Sequence, residues 1–176
     1  MTTDVITDMQ LRLKSQKAAQ IAGGHVRAAL RIDRLKRCIA LLEQNGDALC
    51  DAMRRDFGHR SLDQSKMADI DGAISPLKNA IKQVNTWMKP EKRGTLFPLN
   101  LLGGRSRIEF QPLGVVGCIS PWNFPVQLTF APLAGILAAG NRTMIKPSEY
   151  SPETSDLMKS LIESSFDPDE MAVFTG

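Results

Sequence analysis

The chain has 176 residues, 43% of them hydrophobic, and 22 basic against 19 acidic side chains leave a formal net charge of +3. That length supports one sizeable core with appendages, no apolar run reaches the ~18 to 20 residues of a membrane span, and the opening MTTDVITDMQ lacks the basic and apolar blocks of a signal peptide. Charges are scattered and aromatics too sparse to interleave with a basic face, which argues against a nucleic-acid partner; the expectation is a cytoplasmic chain with neither membrane nor nucleic acid as partner.

In chain order, Ala28, Ile32, Leu35, Ile39, Leu42, Leu49 and Met53 recur every three or four positions, interrupted by Gly46. This spacing predicts a long helix burying one stripe, a heptad zipper being the alternative use of the same stripe. A second segment, from Gln64 to Met88, sets Met67, Ile70, Ile74, Leu77, Ile81, Val84 and Met88 on one face, and Pro90 stops it. KPEKRGTLFPLNLLGGRS then reads as an extended connector. Its Gly103 and Gly104 precede a strand, whereas a dinucleotide phosphate loop follows one.

RIEFQPLGVVGCIS gives two strand-like pieces broken at Gln111 to Gly114. The second, Val115 to Ile119, is apolar on both faces and reads as an interior strand of a parallel sheet covered on each side. A helix from about Val126 to Ala139 follows, stopped by Gly140-Asn141, and then the strand TMIK. Ser151-Pro152-Glu153 opens another helix, with a serine cap and proline at the first helical position. That helix runs to about Ser165, before the last strand, MAVFTG. Two βαβ units are the first half of a doubly wound, Rossmann-like parallel sheet. Such sheets ordinarily end with their edges covered, so the expected fold class is α/β, helices followed by a truncated sheet, the front part of a longer protein.

Cys38, Cys50 and Cys118 are odd in number and lack ligand spacing, so neither a disulfide nor a metal site is expected. Cys118 lies in an apolar strand without an adjacent base, where a thiol is inert; Cys38 and Cys50 read as core or partly exposed. His25 and His59 have no partner pattern and are assigned no catalytic task. No G-x-G-x-x-G occurs. In SPWNFP, Pro121 and Pro125 restrict the backbone and Trp122 is a bulky anchor. From the residues alone, Asn123 caps the helix beginning near Pro125. Lys146 and Glu149 read as a solvated strand end and a first-turn residue.

PLGVVGCISPWNFP and LAAGNRTMIKPSEYSPET, at their spacing, resemble the aldehyde dehydrogenase superfamily. Arg107 to Gly176 follows that pattern almost continuously, and the N-terminal half looks closest to the coniferyl-aldehyde dehydrogenase branch. The resemblance implies a helical segment and connector over 1–104 packing on the cofactor domain, and the first βαβαβ part of an NAD-binding domain over 105–176. It implies oxidation of an aldehyde to the acid with NAD, NADP being the alternative cofactor. It makes Asn123 catalytic, its amide donating to the substrate carbonyl oxygen, where a fixed N–H stabilises the developing alkoxide by ~3 to 4 kcal/mol.

The resemblance also puts the backbone of Ile119, Ser120 and Pro121 against the cofactor and Trp122 near its phosphates; a buried structural tryptophan is the other reading of Trp122. Lys146 and Glu149 would bind the adenosine ribose hydroxyls at the carboxyl end of a strand, where such sheets take ligands. A carboxylate accepts from a 2′-hydroxyl and repels a 2′-phosphate, which favours NAD, while the lysine softens the preference. The family's nucleophilic cysteine, general-base glutamate and phosphate loop belong to segments beyond Gly176, so the chain alone is expected to be inactive. The implied partners are a small-molecule aldehyde and further copies of the chain in a dimer or tetramer, with RSRIEF near the contact. Two alternatives stay open: a non-catalytic nucleotide-binding or scaffolding module, and a relative using acyl-CoA or an acyl phosphate.

Overall fold

The three-and-four spacing beginning at Ala28 becomes one uninterrupted helix, α2, over Ala28–Phe57. In the computed structural model, which describes residues 3–176, it passes straight through Gly46. A Cβ there would meet Ile70 at 3.5 Å, so the small residue allows close packing rather than a break. Gly58 ends the helix at φ 74°, its N–H donating to the Arg54 carbonyl. The buried stripe of α2 does not form a zipper. It shares one core with α4 (Gly72–Trp87), α5 (Gln127–Ala138) and α6 (Pro152–Ser165), through Leu35, Leu42, Met53, Leu77, Phe130, Leu133, Met158 and Ile162.

A short helix α3 (Leu62–Ser65) and a π-helical stretch (Lys66–Asp71) lead into α4. Sequence periodicity singles out no helix before Ala28, yet α1 occupies Thr3–Gly23. Its apolar side chains line no single face, and Ile6, Leu11 and Ile21 are exposed. Polar contacts anchor it instead. The buried Gln16 donates through Nε2 to the carbonyls of Thr143 (3.1 Å) and Pro168 (2.9 Å), and Ser15 and Arg12 both reach Asp169.

The sheet is three parallel strands in the order β3 (Val115–Ile119), β4 (Arg142–Lys146), β5 (Met171–Val173), with α5 and α6 as crossovers. Register runs from Val115 opposite Arg142 to Ile119 opposite Lys146, and from Thr143 opposite Met171 to Ile145 opposite Val173. These are the two expected βαβ units. The expectation that β3 is covered on both faces fails: of its five residues only Cys118 is buried, and Ile119 is 86% exposed. Among the described residues β3 pairs only with β4, so no strand covers its outer edge.

The connector holds a strand that its basic, proline-rich composition hides. Glu91–Arg93 (β1) pairs antiparallel with Ser106–Ile108 (β2), and all six residues are exposed. Between them the arm presents Leu96, Phe97, Leu99, Leu101 and Leu102 to solvent. The ribbon contributes no residue to the buried core, so burial periodicity has nothing to report there.

The expected cap of α6 is also corrected. Ser151 makes no capping bond, and its Oγ is buried without a partner. Asp56, near the end of α2, takes the position. Its Oδ1 accepts from Glu153 N (3.0 Å) and its Oδ2 from Thr154 N (2.9 Å) and Thr154 Oγ1 (2.6 Å).

Candidate active site at the carboxyl end of the sheet

The ladder extends one residue beyond β3, where Ser120 N–H donates to the Lys146 carbonyl at 3.1 Å. The Ser120 hydroxyl lies 2.7 Å from Thr129 Oγ1, and Thr129 spends its own hydrogen on the Pro125 carbonyl at 2.6 Å. Ser120 is therefore the donor of that pair. Being buried, with N–H and hydroxyl both engaged internally, it serves as the hinge pin of the turn. Ile119, Pro121 and Asn123 are exposed. Trp122 is 50% exposed and tilts against Phe57, with ring centroids 6.2 Å apart, which removes the buried structural tryptophan as a reading.

Asn123 does not cap α5. Two backbone donors at the start of that helix, Val126 N–H and Gln127 N–H, both go to Asp69 Oδ1 at 3.1 Å. Among the described residues the Asn123 side-chain amide has no hydrogen-bond partner, and only its backbone carbonyl is held, by Arg60 Nη1 at 2.7 Å. A pocket of about 430 Å³ opens beside it, lined by Phe57, His59, Arg60, Gln64, Trp122 and Phe124 among others. His59, assigned no task from the sequence, thus lies next to the loop.

Lys146 and Glu149 come together one turn away. Lys146 Nζ donates to the Pro147 carbonyl (2.8 Å) and approaches Glu149 Oε2 at 3.4 Å. A backbone bond at Glu149 itself, then the Lys146 ammonium, hold the Glu149 carboxyl below its ordinary value. At neutral pH it is an exposed anionic acceptor. Because Ile119 faces Lys146 in register, strand ends β3 and β4 bring Ile119, Ser120, Lys146 and Glu149 to one rim of the sheet, with the Pro121–Asn123 loop rising from it.

The residues that sequence reasoning misses are Asp56, Arg60 and Asp69. Asp69 carried a signal: a carboxylate beside Ile70 on the buried face of a helical segment cannot be left without donors. It is fully buried, ion-paired to Arg60 Nη2 at 2.5 Å. Burial pushes its carboxyl up, opposed by the Gln127 N–H, the Arg60 guanidinium and the Val126 N–H.

No thiol here is activated. Cys38, Cys50 and Cys118 are free and buried. Desolvation pushes Cys38 up to about 12 and raises Cys118 and Cys50 as well. Among the described residues the one hydrogen-bond partner of Cys118 Sγ is the Thr129 carbonyl, at 3.9 Å. Among the described residues no group of His, Cys, Asp and Glu could hold a metal ion, and no helix is long and apolar enough to cross a membrane.

Comparison with known proteins adds to this geometry. The sequence profile of the aldehyde dehydrogenase family matches residues 7–176. The chain is 50% identical over 165 residues to a probable coniferyl aldehyde dehydrogenase of Caulobacter vibrioides, covering 93% of this chain and 34% of that protein. It is 48% identical over 164 residues to the coniferyl aldehyde dehydrogenase of Pseudomonas sp. strain HR199, covering 93% and 33%. In structure it is similar to a substrate-bound Staphylococcus aureus AldH, with a TM-score of 0.87 at 29% identity over 96% of this chain and 36% of that one. The indole-3-acetaldehyde dehydrogenase AldA of P. syringae, in complex with NAD+ and IAA, superposes with a TM-score of 0.81 at 27% identity, over 97% and 34%. The chain spans about a third of the length of the curated relatives it matches.

Proposed function

The chain belongs to the aldehyde dehydrogenase family, and from that premise we propose that it forms the cofactor-facing part of an NAD-dependent enzyme that oxidises a coniferyl-type aldehyde to the carboxylic acid. The observation that carries the reading is the rim itself. A non-titrating amide without a partner among the described residues, Asn123, shares the carboxyl end of the sheet with a largely covered lysine and the exposed glutamate that its ammonium approaches. The substrate class rests on the coniferyl aldehyde dehydrogenases that are 48% and 50% identical to this chain.

The residues fit a dinucleotide by their chemistry. Glu149 offers an ionised acceptor for ribose hydroxyls and Lys146 a donor beside it; the carboxylate favours NAD over NADP, and the lysine softens that preference. A dinucleotide held by these residues would supply, through its nicotinamide, the hydride acceptor of the oxidation. Asn123 donates to the carbonyl oxygen as it gains negative charge, and Ser120 keeps the turn rigid beneath it. The exposed edges of Ile119, Pro121 and Trp122 would offer a wall for the cofactor. The three thiols here are buried and uncharged, so the covalent step draws its thiolate, and its water-activating base, from outside these 176 residues. The exposed arm between β1 and β2 serves contact with a second copy, in the cytoplasm.

Replacing Asn123 by alanine in the complete enzyme tests this. Acylation by coniferyl aldehyde should slow roughly 100- to 1,000-fold, read as NADH formation in rapid mixing, with NAD binding unchanged in a fluorescence titration. A folded Asn123→Ala enzyme that binds NAD and acylates at the parental rate removes the assignment. NADH formation by the 176-residue chain alone would remove the claim that its thiols stand idle.

A further inference from the structure

We propose that Arg60 is a positioning residue for the Asn123 loop, a clamp that fixes the direction of the amide; this rests on the reading of Asn123 given above. The loop is held at both feet. Ser120 is tied to Lys146 and Thr129, and Val126 and Gln127 to Asp69. Between the feet, Pro121, Trp122 and Asn123 are exposed, and the hydrogen bond from Arg60 Nη1 to the Asn123 carbonyl is the tie across the gap.

Three directions of one guanidinium are used at once. Nε donates to Ser65 Oγ at 3.1 Å, Nη2 to Asp69 Oδ2 and Nη1 to the Asn123 carbonyl. Its carbon sits 5.0 Å from the ring centroids of both Phe57 and Phe124, and Phe57 in turn carries Trp122. The Arg60 side chain is only 10% exposed. One carboxylate, Asp69, therefore fixes the start of α5 with one oxygen and, through Arg60, the peptide that follows Asn123 with the other. Since Asp69 neutralises the guanidinium, the contribution is geometric. A planar fork can serve three acceptors in fixed directions, whereas a lysine ammonium at the end of a flexible stem cannot.

Position matters here because an error of about 1 Å in a reacting geometry can cost on the order of 100-fold in rate. The test uses Arg60→Met and Arg60→Lys with two readouts. In the 176-residue chain carrying Trp87→Phe, Trp122 is the only tryptophan left. Its acrylamide quenching should rise by about twofold in Arg60→Met as Phe57, against which the ring rests, loses the guanidinium that backs it, with far-UV circular dichroism unchanged. In the complete enzyme, kcat should fall roughly 10- to 100-fold with KM and the Kd for NAD held.

Where Arg60→Met does not fold, Arg60→Lys, which keeps the charge beside Asp69, decides by the same two readouts. Unchanged Trp122 quenching overturns the proposal, and so does an unchanged kcat in an enzyme that Asn123→Ala does slow. Where Asn123→Ala leaves the rate untouched, the oxyanion reading is what fails, and Trp122 quenching alone decides the clamp.

Discussion

Exchanging Asp56 for alanine, with Ser151→Ala as its counterpart, separates what the sequence suggests about α6 from what the structure contains. Asp56 accepts three hydrogen bonds at 2.6 to 3.0 Å from Glu153 and Thr154. Losing a side-chain cap of this kind costs ~1 to 2 kcal/mol. The upper figure applies here, because Thr154 is buried and its N–H and hydroxyl would keep no other acceptor. In a domain of this size that corresponds to a fall in Tm of about 4 to 8 °C. Ser151 works in the opposite sense. Its hydroxyl is buried without a partner, so removing it relieves an unsatisfied group and leaves stability within about 0.5 kcal/mol of the parent, or slightly above it. Urea and thermal unfolding of the two variants, followed at 222 nm, measure both numbers on one chain. A Ser151→Ala variant less stable than Asp56→Ala refutes the reasoning and restores the serine as the cap.

Glu149→Gln in the complete enzyme should weaken NAD binding, or relax discrimination against NADP, while leaving the acylation rate nearly intact; a slowed acylation with NAD affinity unchanged contradicts the role. Burial carries the Cys38 thiol from 9.0 up to about 12, so the unfolded chain gives up this proton first and the native state binds the excess between those values. That contribution is present below pH 9.0 and is lost as pH rises through the window. The stability difference between the parent and Cys38→Ala, by urea midpoint, should shrink between about pH 9 and about pH 11, and a constant gap contradicts the argument. Gly140→Ala should cost about 2 kcal/mol or more. Gly140 has φ +86°, and a Cβ there meets the Arg31 guanidinium at 2.9 Å. Arg31 has little room to yield, because it is bonded to the Val26 and Ala138 carbonyls, each at 2.9 Å. A melting temperature equal to the parent's would show that Arg31 can retreat.

What the sequence reveals and conceals follows from which interactions are periodic. The stripe from Leu35 to Met53, the apolar α5 and the alternation of strands and helices repeat at fixed intervals, so α2, α4 and the two βαβ units are legible before any coordinates. The SPWNFP and KPSE segments are legible for a different reason, their wording being shared with a family. Caps are neither periodic nor local here. Ser151 and Asn123 stand where a cap belongs by chain order, yet carboxylates about 97 and 57 positions away fill the role, and no window of sequence contains both partners. The openness of β3 was hidden too, since an apolar strand reads alike whether or not a neighbour lies beyond its edge. And α1 escaped because its anchors are Gln16, Ser15 and Arg12, residues that ordinarily mark a solvent face.

Those anchors bear on the order in which the molecule can assemble. Ser15 and Arg12 meet Asp169 across 154 and 157 positions of chain, and Arg34 and Arg37 share the next residue, Glu170. At the ~5 to 20 residues per second of translation, a ribosome that has released α1 works for roughly 8 to 30 seconds before its partners exist. For most of that time α1 has neither the Thr143 nor the Pro168 carbonyl for Gln16, and α2 holds two arginines without their shared carboxylate. α1 is therefore seated only after the Pro168–Asp169 turn that precedes β5 has been made, and the growing chain must keep α1 soluble over that interval.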